Sequence, residues 1–169
     1  MTTAIDAGLL ILRVTIGLTL AAHGYAKIFQ GGRLAGTARW FDSIGMRPGR
    51  LHAPLAAFAE IGAGALFALG LLTPLAAAAM IALMVVAAWT VHRHSGFFIV
   101  GNGWEYNFVL ACVALSVAVT GAGRFSVDNL IGLESSINQW SGLAIALVVG
   151  LGAGIGQLIV FFRPPASTD

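Results

Sequence analysis

Charge is what this chain has least of. Only 9% of its 169 residues are Asp, Glu, Lys or Arg, against about 25% in ordinary soluble domains. With 58% hydrophobic residues and a mean hydropathy of +0.89, that scarcity excludes a soluble globular domain and leaves an integral membrane protein. Cysteine is scarcer still. Cys112 stands alone in an apolar run, so no internal disulfide, CxxC relay or cysteine metal cluster can form, and the thiol reads as a small hydrophobe. The pI near 9.2 comes without a basic face interleaved with aromatics, which sets nucleic acid aside. No Ser/His/Asp or Cys/His arrangement stands out, so hydrolysis of the soluble-enzyme kind is not expected.

What is present is a series of apolar runs. Gly8 to Phe29 is long enough to cross a bilayer as a helix. Met1 to Ala7 holds Asp6 and no basic residue, unlike a cleaved signal, so this span is expected to stay. Arg13, Gly17, Leu20, Gly24 and Lys27 fall along one stripe at about 100° per residue, with His23 on its flank. A cation near a helix centre costs about 2.5–3.5 kcal/mol even on the lenient insertion scale, so the stripe faces other helices or a wet cavity.

The connection Gly31 to Ala53 is basic, with Arg33, Arg39, Arg47 and Arg50 against Asp42. Thr37 is placed to cap a short helix carrying Trp40, Phe41 and Ile44; Arg39, Trp40 and Arg47 then read as an interfacial loop with arginines near phosphates. The run from Pro54 to Val91 would exceed about 50 Å as one helix and must fold in two. Gly70-Leu-Leu-Thr73-Pro74 supplies the break: a glycine near a helix end, Thr73 as cap and Pro74 at the first helical position. Spans are therefore predicted at Pro54 to Leu72, Pro74 to Val91, Trp104 to Thr120 and Ser141 to Phe162.

The fold class is all-α: a polytopic membrane bundle with a four-helix core in residues 1–130. Residues 131–169 add a loop, a fifth transmembrane helix and a short tail. With five spans, Lys27, Arg33, Arg39, Arg47, Arg50, Arg93 and Arg163 share one side and only Arg124 lies opposite. Positive-inside reasoning then puts the first loop and the carboxyl terminus in the cytoplasm and the amino terminus outside. Near Gly150 and Gly154, GxxxG spacing permits close approach of another helix, in this chain or in a second copy as a homo-oligomer. With no strand before it, this run is no nucleotide fingerprint.

Counting at 1.5 Å per residue puts His23 and Glu60 about 7–9 Å below the cytoplasmic boundary, with Lys27, His92, Glu105, Tyr106 and Asn107 near the same level. Arg13 is the outlier, about 8 Å from the opposite boundary. A cation close to Glu60 would hold it ionised, and Lys27 or His23 is the natural partner. Two readings follow. The groups form a pocket open toward the cytoplasmic leaflet, suited to a polar headgroup such as a quinone ring or to passing protons, or they lock helix order by mutual hydrogen bonding. His92-x-His94 has no recognised metal spacing, and no metal is expected.

Taken together, these residues resemble the DoxX family of small four-helix bacterial membrane proteins. The resemblance rests on Leu12-Arg13 with Gly17, His23-Gly24-x-x-Lys27, Glu60 with Gly62 and Gly64, and Leu69-Gly70-Leu-Leu-Thr73-Pro74. It continues through His92 with Gly96-Phe97-Phe98, Gly103-Trp104-Glu105-Tyr106-Asn107, and Gly121-x-Gly123-Arg124-Phe125-Ser126-x-Asp128. It covers about Leu9 to Leu130 and leaves the fifth span outside the family pattern. Such a resemblance implies a plasma-membrane protein with a redox association: related proteins are membrane subunits of a thiosulfate:quinone oxidoreductase. A similar mycobacterial protein is linked to a complex with superoxide dismutase and a sulfur transferase in oxidative-stress resistance. It supplies no catalytic residues to carry over.

The leading expectation is a quinone-proximal subunit with no intrinsic cofactor, working in the bilayer beside a soluble redox or sulfur-transfer enzyme. The alternatives are a non-enzymatic scaffold that recruits soluble enzymes through its basic loop, and a transporter of small solutes or protons. Neither an inverted repeat nor a broken helix pair supports transport.

Overall fold

A computed structural model describes residues 3–133 and 139–164. The helices are α1 (Thr3–Phe29), α2 (Arg33–Ser43), α3 (Gly49–Leu69), α4 (Thr73–Ala87), α5 (Glu105–Thr120), α6 (Val127–Leu130) and α7 (Trp140–Phe161). α4 runs on through one turn of π-helix, Ala88–His92, into a 3₁₀ turn, Arg93–Ser95. The chain is a multi-pass membrane bundle, and its lipid-facing side chains are apolar: Ile11, Leu18, Phe58, Val148 and Ile159 are all exposed.

Five spans are expected, but among the described residues four helices are long and apolar enough to cross a membrane: Thr3–Phe29, Gly49–Leu69, Thr73–Ser95 and Trp140–Phe161. α5 has 16 residues, about 24 Å of helix. It cannot extend at its start because residues 96–104 form a folded link. There, Gly103 N donates to Phe98 O at 3.0 Å and Glu105 N to Phe97 O at 2.8 Å, and Asn102 takes a left-handed conformation with φ 63°.

Two helix starts differ from their predicted places. Thr37 does not cap α2: it lies inside the helix, and its hydroxyl donates to Arg33 O at 3.0 Å. α3 begins at Gly49, so Pro54 sits within it, where the missing N–H forfeits one i→i−4 bond. At the α3–α4 turn, Gly70 is the left-handed C-cap with φ 63°, a backbone shape that favours glycine. Thr73, however, is the first residue of α4 rather than its cap. The cap comes from 55 residues away: Asp128 Oδ1 accepts from Leu72 N at 2.8 Å, and Oδ2 from Thr73 N at 2.9 Å and the Thr73 hydroxyl at 2.7 Å.

α1 packs most extensively on α3, and α7 on α4, while α5 bridges α4 and α7. The buried residues of α1 are Asp6, Arg13, Gly17, Leu20 and Gly24, the periodic stripe extended toward the amino terminus. Gly17 and Gly64 let α1 and α3 touch backbone to backbone, since a Cβ on either would meet the other's carbonyl oxygen. Leu20, Phe67, Met80, Ile81, Leu110, Ala114, Val117 and Ala146 fill the centre. α3 and α7 both lie along α4 yet scarcely touch each other, which leaves a cleft between them.

Candidate functional site

The bundle has two polar poles. At the first, Arg13 is fully buried and donates to Ala68 O at the end of α3 (3.1 Å) and to Phe125 O in the segment before α6 (2.6 Å). Asp6 accepts from Arg124 N at 3.0 Å, and Asp128 caps α4. Asn129 Nδ2 donates to Arg124 O at 3.1 Å, and the Ser126 hydroxyl to Gly123 O at 2.6 Å. The polar, acid-bearing stretch 121–140, whose composition predicts a surface loop with one short helix, is thus clamped onto three helix ends, with α6 as that helix; residues 134–138 lie outside the described residues. Burying these charges is tolerable because each meets backbone polar groups that would otherwise lack partners.

At the second pole, Lys27 Nζ lies 2.8 and 2.6 Å from the two oxygens of Glu60, and both side chains are largely buried, at 21% and 12% exposure. This pair stands in the wall of a cavity of about 310 Å³, at the lower end of the range for small-molecule sites. α3 contributes His52, Ala56, Ala59 and Glu60; α4 and its π-turn contribute Ala82, Leu83, Val86 and Thr90; α7 contributes Ala153 and Gln157. Trp40 and Phe41 of α2 line it as well. Leu55 and Ala153, both exposed, mark where the α3–α7 cleft meets the cavity.

The lining is apolar except for a few groups. Gln157 Nε2 lies 3.2 Å from His52 Nδ1, so an α3 side chain and an α7 side chain join across the cleft. His52 is 1% exposed, and its ring packs against Phe41 and, edge-on at 4.9 Å, against Phe161. Its Nε2 is buried and meets no hydrogen-bond partner among the described residues. The far end of α7 is pinned to the same region, with Arg163 N donating to Gly45 O at 2.7 Å and Arg47 N to Phe161 O at 3.2 Å.

A family model described as DoxX matches residues 8–93, which span α1 to the turn after α4. The chain belongs to the DoxX family. Among relatives, the Bacillus subtilis (strain 168) protein named "Putative oxidoreductase CatD" is 31% identical over 131 residues, covering 78% of this chain and 92% of that protein. The Escherichia coli (strain K12) "Inner membrane protein YqjF" is 26% identical over 126 residues, covering 75% of this chain and 93% of its own length. No solved structure matches the chain.

In this DoxX protein the other predicted residues fall in several places. His23 is exposed beside Lys27, its ring 6.5 Å from that of Tyr106; it shares a second, more open hollow with Lys27, Thr37 and Trp40. His92 Nδ1 is 2.8 Å from Asn102 O, and Glu105 accepts from Ile99 N at 2.8 Å, so both brace the folded link. Asn107 is buried in the bundle, with Nδ2 3.7 Å from Met84 Sδ. Arg13 belongs to the opposite pole. Arg39 and Arg47 are exposed, and Trp40 is shared by both hollows. Gly150 and Gly154 face α4, where a Cβ would lie 2.8 Å from Ala78 O and 3.1 Å from Ala82 O; the close helix partner is within the chain.

His52, Thr90 and Gln157 line the cavity and are absent from the sequence-predicted set. His52 sits in the basic stretch read as connection, just before the apolar run that begins at Pro54. Gln157 had a usable signal. It is the one amide within the apolar run from Leu143 to Phe162, and an amide at that depth needs a partner on a neighbouring helix.

Proposed function

We propose that this protein is the membrane subunit of a redox system and binds a quinone-type ring in the cavity beside Lys27 and Glu60. The observation that carries the reading is the meeting of a buried ion pair with an otherwise apolar hollow that opens through the α3–α7 cleft. A flat ring with carbonyl oxygens suits such walls: Ala56, Ala59, Leu83 and Val86 would contact its faces, and Lys27 or Gln157 would donate to its oxygens. When bound, a quinone would supply carriage of electrons together with their protons. Lys27 and Glu60 would hold a charge and a proton next to the ring edge, while Trp40 and Phe41 exclude water from it.

The residues fit the group by their chemistry, because the lining is mainly apolar and Lys27 and Gln157 stand in it as hydrogen-bond donors. The oxidoreductase wording in the Bacillus relative's name agrees with this reading. Electrons would come from a soluble partner that carries the redox centre. The concentration of Arg33, Arg39, Arg47, Arg50, Arg93 and Arg163 around the Lys27 pole gives the orientation proposed here, with that pole cytoplasmic.

The test is direct. Protein purified in nanodiscs is extracted for bound quinone and titrated with a short-chain naphthoquinone, alongside Glu60→Ala. Binding by the native chain that falls at least about tenfold in the variant supports the reading; no bound or titratable quinone, with no effect of the variant, overturns it.

A second reading, a scaffold that recruits a soluble enzyme, is favoured by the exposed arginines Arg39, Arg47 and Arg50. Pull-down from gently solubilised membranes separates the two readings. Loss of partner with Arg39→Ala/Arg47→Ala and retention with Glu60→Ala favours the scaffold; unchanged recovery from the arginine variants counts against it.

A further inference from the structure

A third hollow, of about 520 Å³, lies between α2 and α3 and shares no lining residue with the cavity beside Glu60. Its walls are mostly apolar, with Leu34 and Ala38 on α2 and Pro54 on α3. Three charged side chains line it: Arg39 and Asp42 from α2, and Arg50 from α3.

These charges do not cancel. Asp42 turns one carboxylate oxygen to Gly49 N at 2.7 Å and so serves the start of α3. Neither arginine pairs with it, and among the described residues neither Arg39 nor Arg50 has a side-chain hydrogen bond or an ion pair. Two guanidinium groups beside one occupied carboxylate leave a positive charge in excess. A guanidinium is a rigid fork of donors that matches the oxygens of a phosphate.

We infer that this hollow is a binding site for one anionic phospholipid, with its phosphate on Arg39 and Arg50 and an acyl chain on the flank of α3. α3 is long and apolar enough to cross a membrane and begins at Gly49, so Arg50 stands where a span meets the headgroups. Basic pockets at that level favour anionic lipids. Arg50, Pro54 and Phe58 follow one another at four-residue steps along one side of the helix. Phe58 is 63% exposed and lies about 12 Å farther along the axis than Arg50. Cation and apolar surface therefore come in the order in which a phospholipid presents its phosphate and its chain. A soluble anion would leave the walls at Leu34, Ala38 and Pro54 uncovered, and the ammonium of a zwitterionic lipid would offset the phosphate that the arginines select.

The site does not rest on the quinone reading. It does bear on the same helix, because α2 carries Arg39 in this hollow and Trp40 and Phe41 in the other.

The experiment titrates the full chain in detergent with phosphatidylglycerol or with phosphatidylethanolamine of the same chains and counts bound lipid by native mass spectrometry. Each arginine near a headgroup is worth about fivefold in affinity. Native protein should prefer phosphatidylglycerol at least about tenfold, and Arg39→Gln/Arg50→Gln should lose that preference. Arg33→Gln/Arg47→Gln removes two exposed arginines of the same segment that do not line the hollow, and should change the affinity less than about threefold. Equal loss in the two double variants would reduce the effect to diffuse attraction and overturn the site, as would a native chain without the preference. Displacement of the lipid by an equal concentration of glycerol 3-phosphate would overturn it in favour of a soluble phosphate ester. Loss of a co-purifying soluble protein from Arg39→Gln/Arg50→Gln, with lipid occupancy unchanged, would assign the arginines to a protein partner and overturn it too. Should the double variant not fold, Arg50→Gln alone serves: a loss of about fivefold is expected, and undiminished affinity overturns the proposal.

Discussion

The two cations of α1 meet opposite fates. Arg13 is sealed: its guanidinium donates to carbonyls at Ala68 and Phe125 and ties three segments together. Lys27 reaches a carboxylate instead, and the pair borders open space. Both are ionisable groups at membrane depth, and such groups default to functional hypotheses. The comparison sets a charge that holds the fold against one that the quinone reading assigns to the site. The first satisfies backbone groups at helix ends, whereas the second borders a hollow.

Variants at the two poles should therefore differ in kind as well as size. The largest loss of stability is expected for Arg13→Met, which orphans the carbonyls of Ala68 and Phe125. Hydrogen bonds to charged groups are worth about 1.5–3 kcal/mol each, so thermal unfolding in detergent should shift by the equivalent of about 3 kcal/mol or more. Quinone affinity of the protein that still folds should be nearly native. If Arg13→Met abolished binding while leaving stability alone, the assignment of the poles would be reversed.

Next in size is Asp128→Ala. It removes a carboxylate that serves Leu72 N, Thr73 N and the Thr73 hydroxyl, and a lost N-cap costs about 2 kcal/mol at the upper end. The same unfolding measurement checks it, and hydrogen exchange should speed up first at the start of α4.

Lys27→Met comes third for stability. Both side chains are largely buried but keep some contact with solvent, which screens part of the loss, and about 1 kcal/mol is expected. Its effect on ligand binding should be the larger one, the inverse of Arg13→Met. A Lys27→Met/Glu60→Met double variant should recover stability, since no unpaired charge remains, without recovering binding.

The smallest effect is expected at Gly156, where a Cβ meets nothing within 4 Å. Gly156→Ala should leave binding unchanged and stabilise α7 by up to about 1 kcal/mol through helix propensity. A loss of binding there would mean that this face of α7 belongs to the site.

Much of the fold was legible in the sequence because its signals are local. The periodicity of Arg13, Gly17, Leu20 and Gly24 marked the buried face of α1, and Gly70 marked the end of α3. Thr73 misled because its side chain looked like a sufficient cap, whereas a carboxylate far along the chain displaced it. Residues 96–104 hid their folded link, which shortens α5, because most of its hydrogen bonds run between backbone groups.

The candidate site was legible in part. Depth counting brought Lys27 and Glu60 to one level, and they do pair. It also brought His92 and Glu105 there, but a common level does not fix the direction of a side chain, and those two turn to the link. His52 and Gln157 meet across 105 positions of sequence, through a helix that local reasoning set outside the core.

A density map of the protein in native lipid would test the central claim most directly. The account predicts planar density in the cavity between α3, α4 and α7, its edge against Lys27 and Glu60, with a tail leaving through the cleft at Leu55 and Ala153. Acyl-chain density in that space, or α3 and α7 closed together with side chains filling it, would contradict the account.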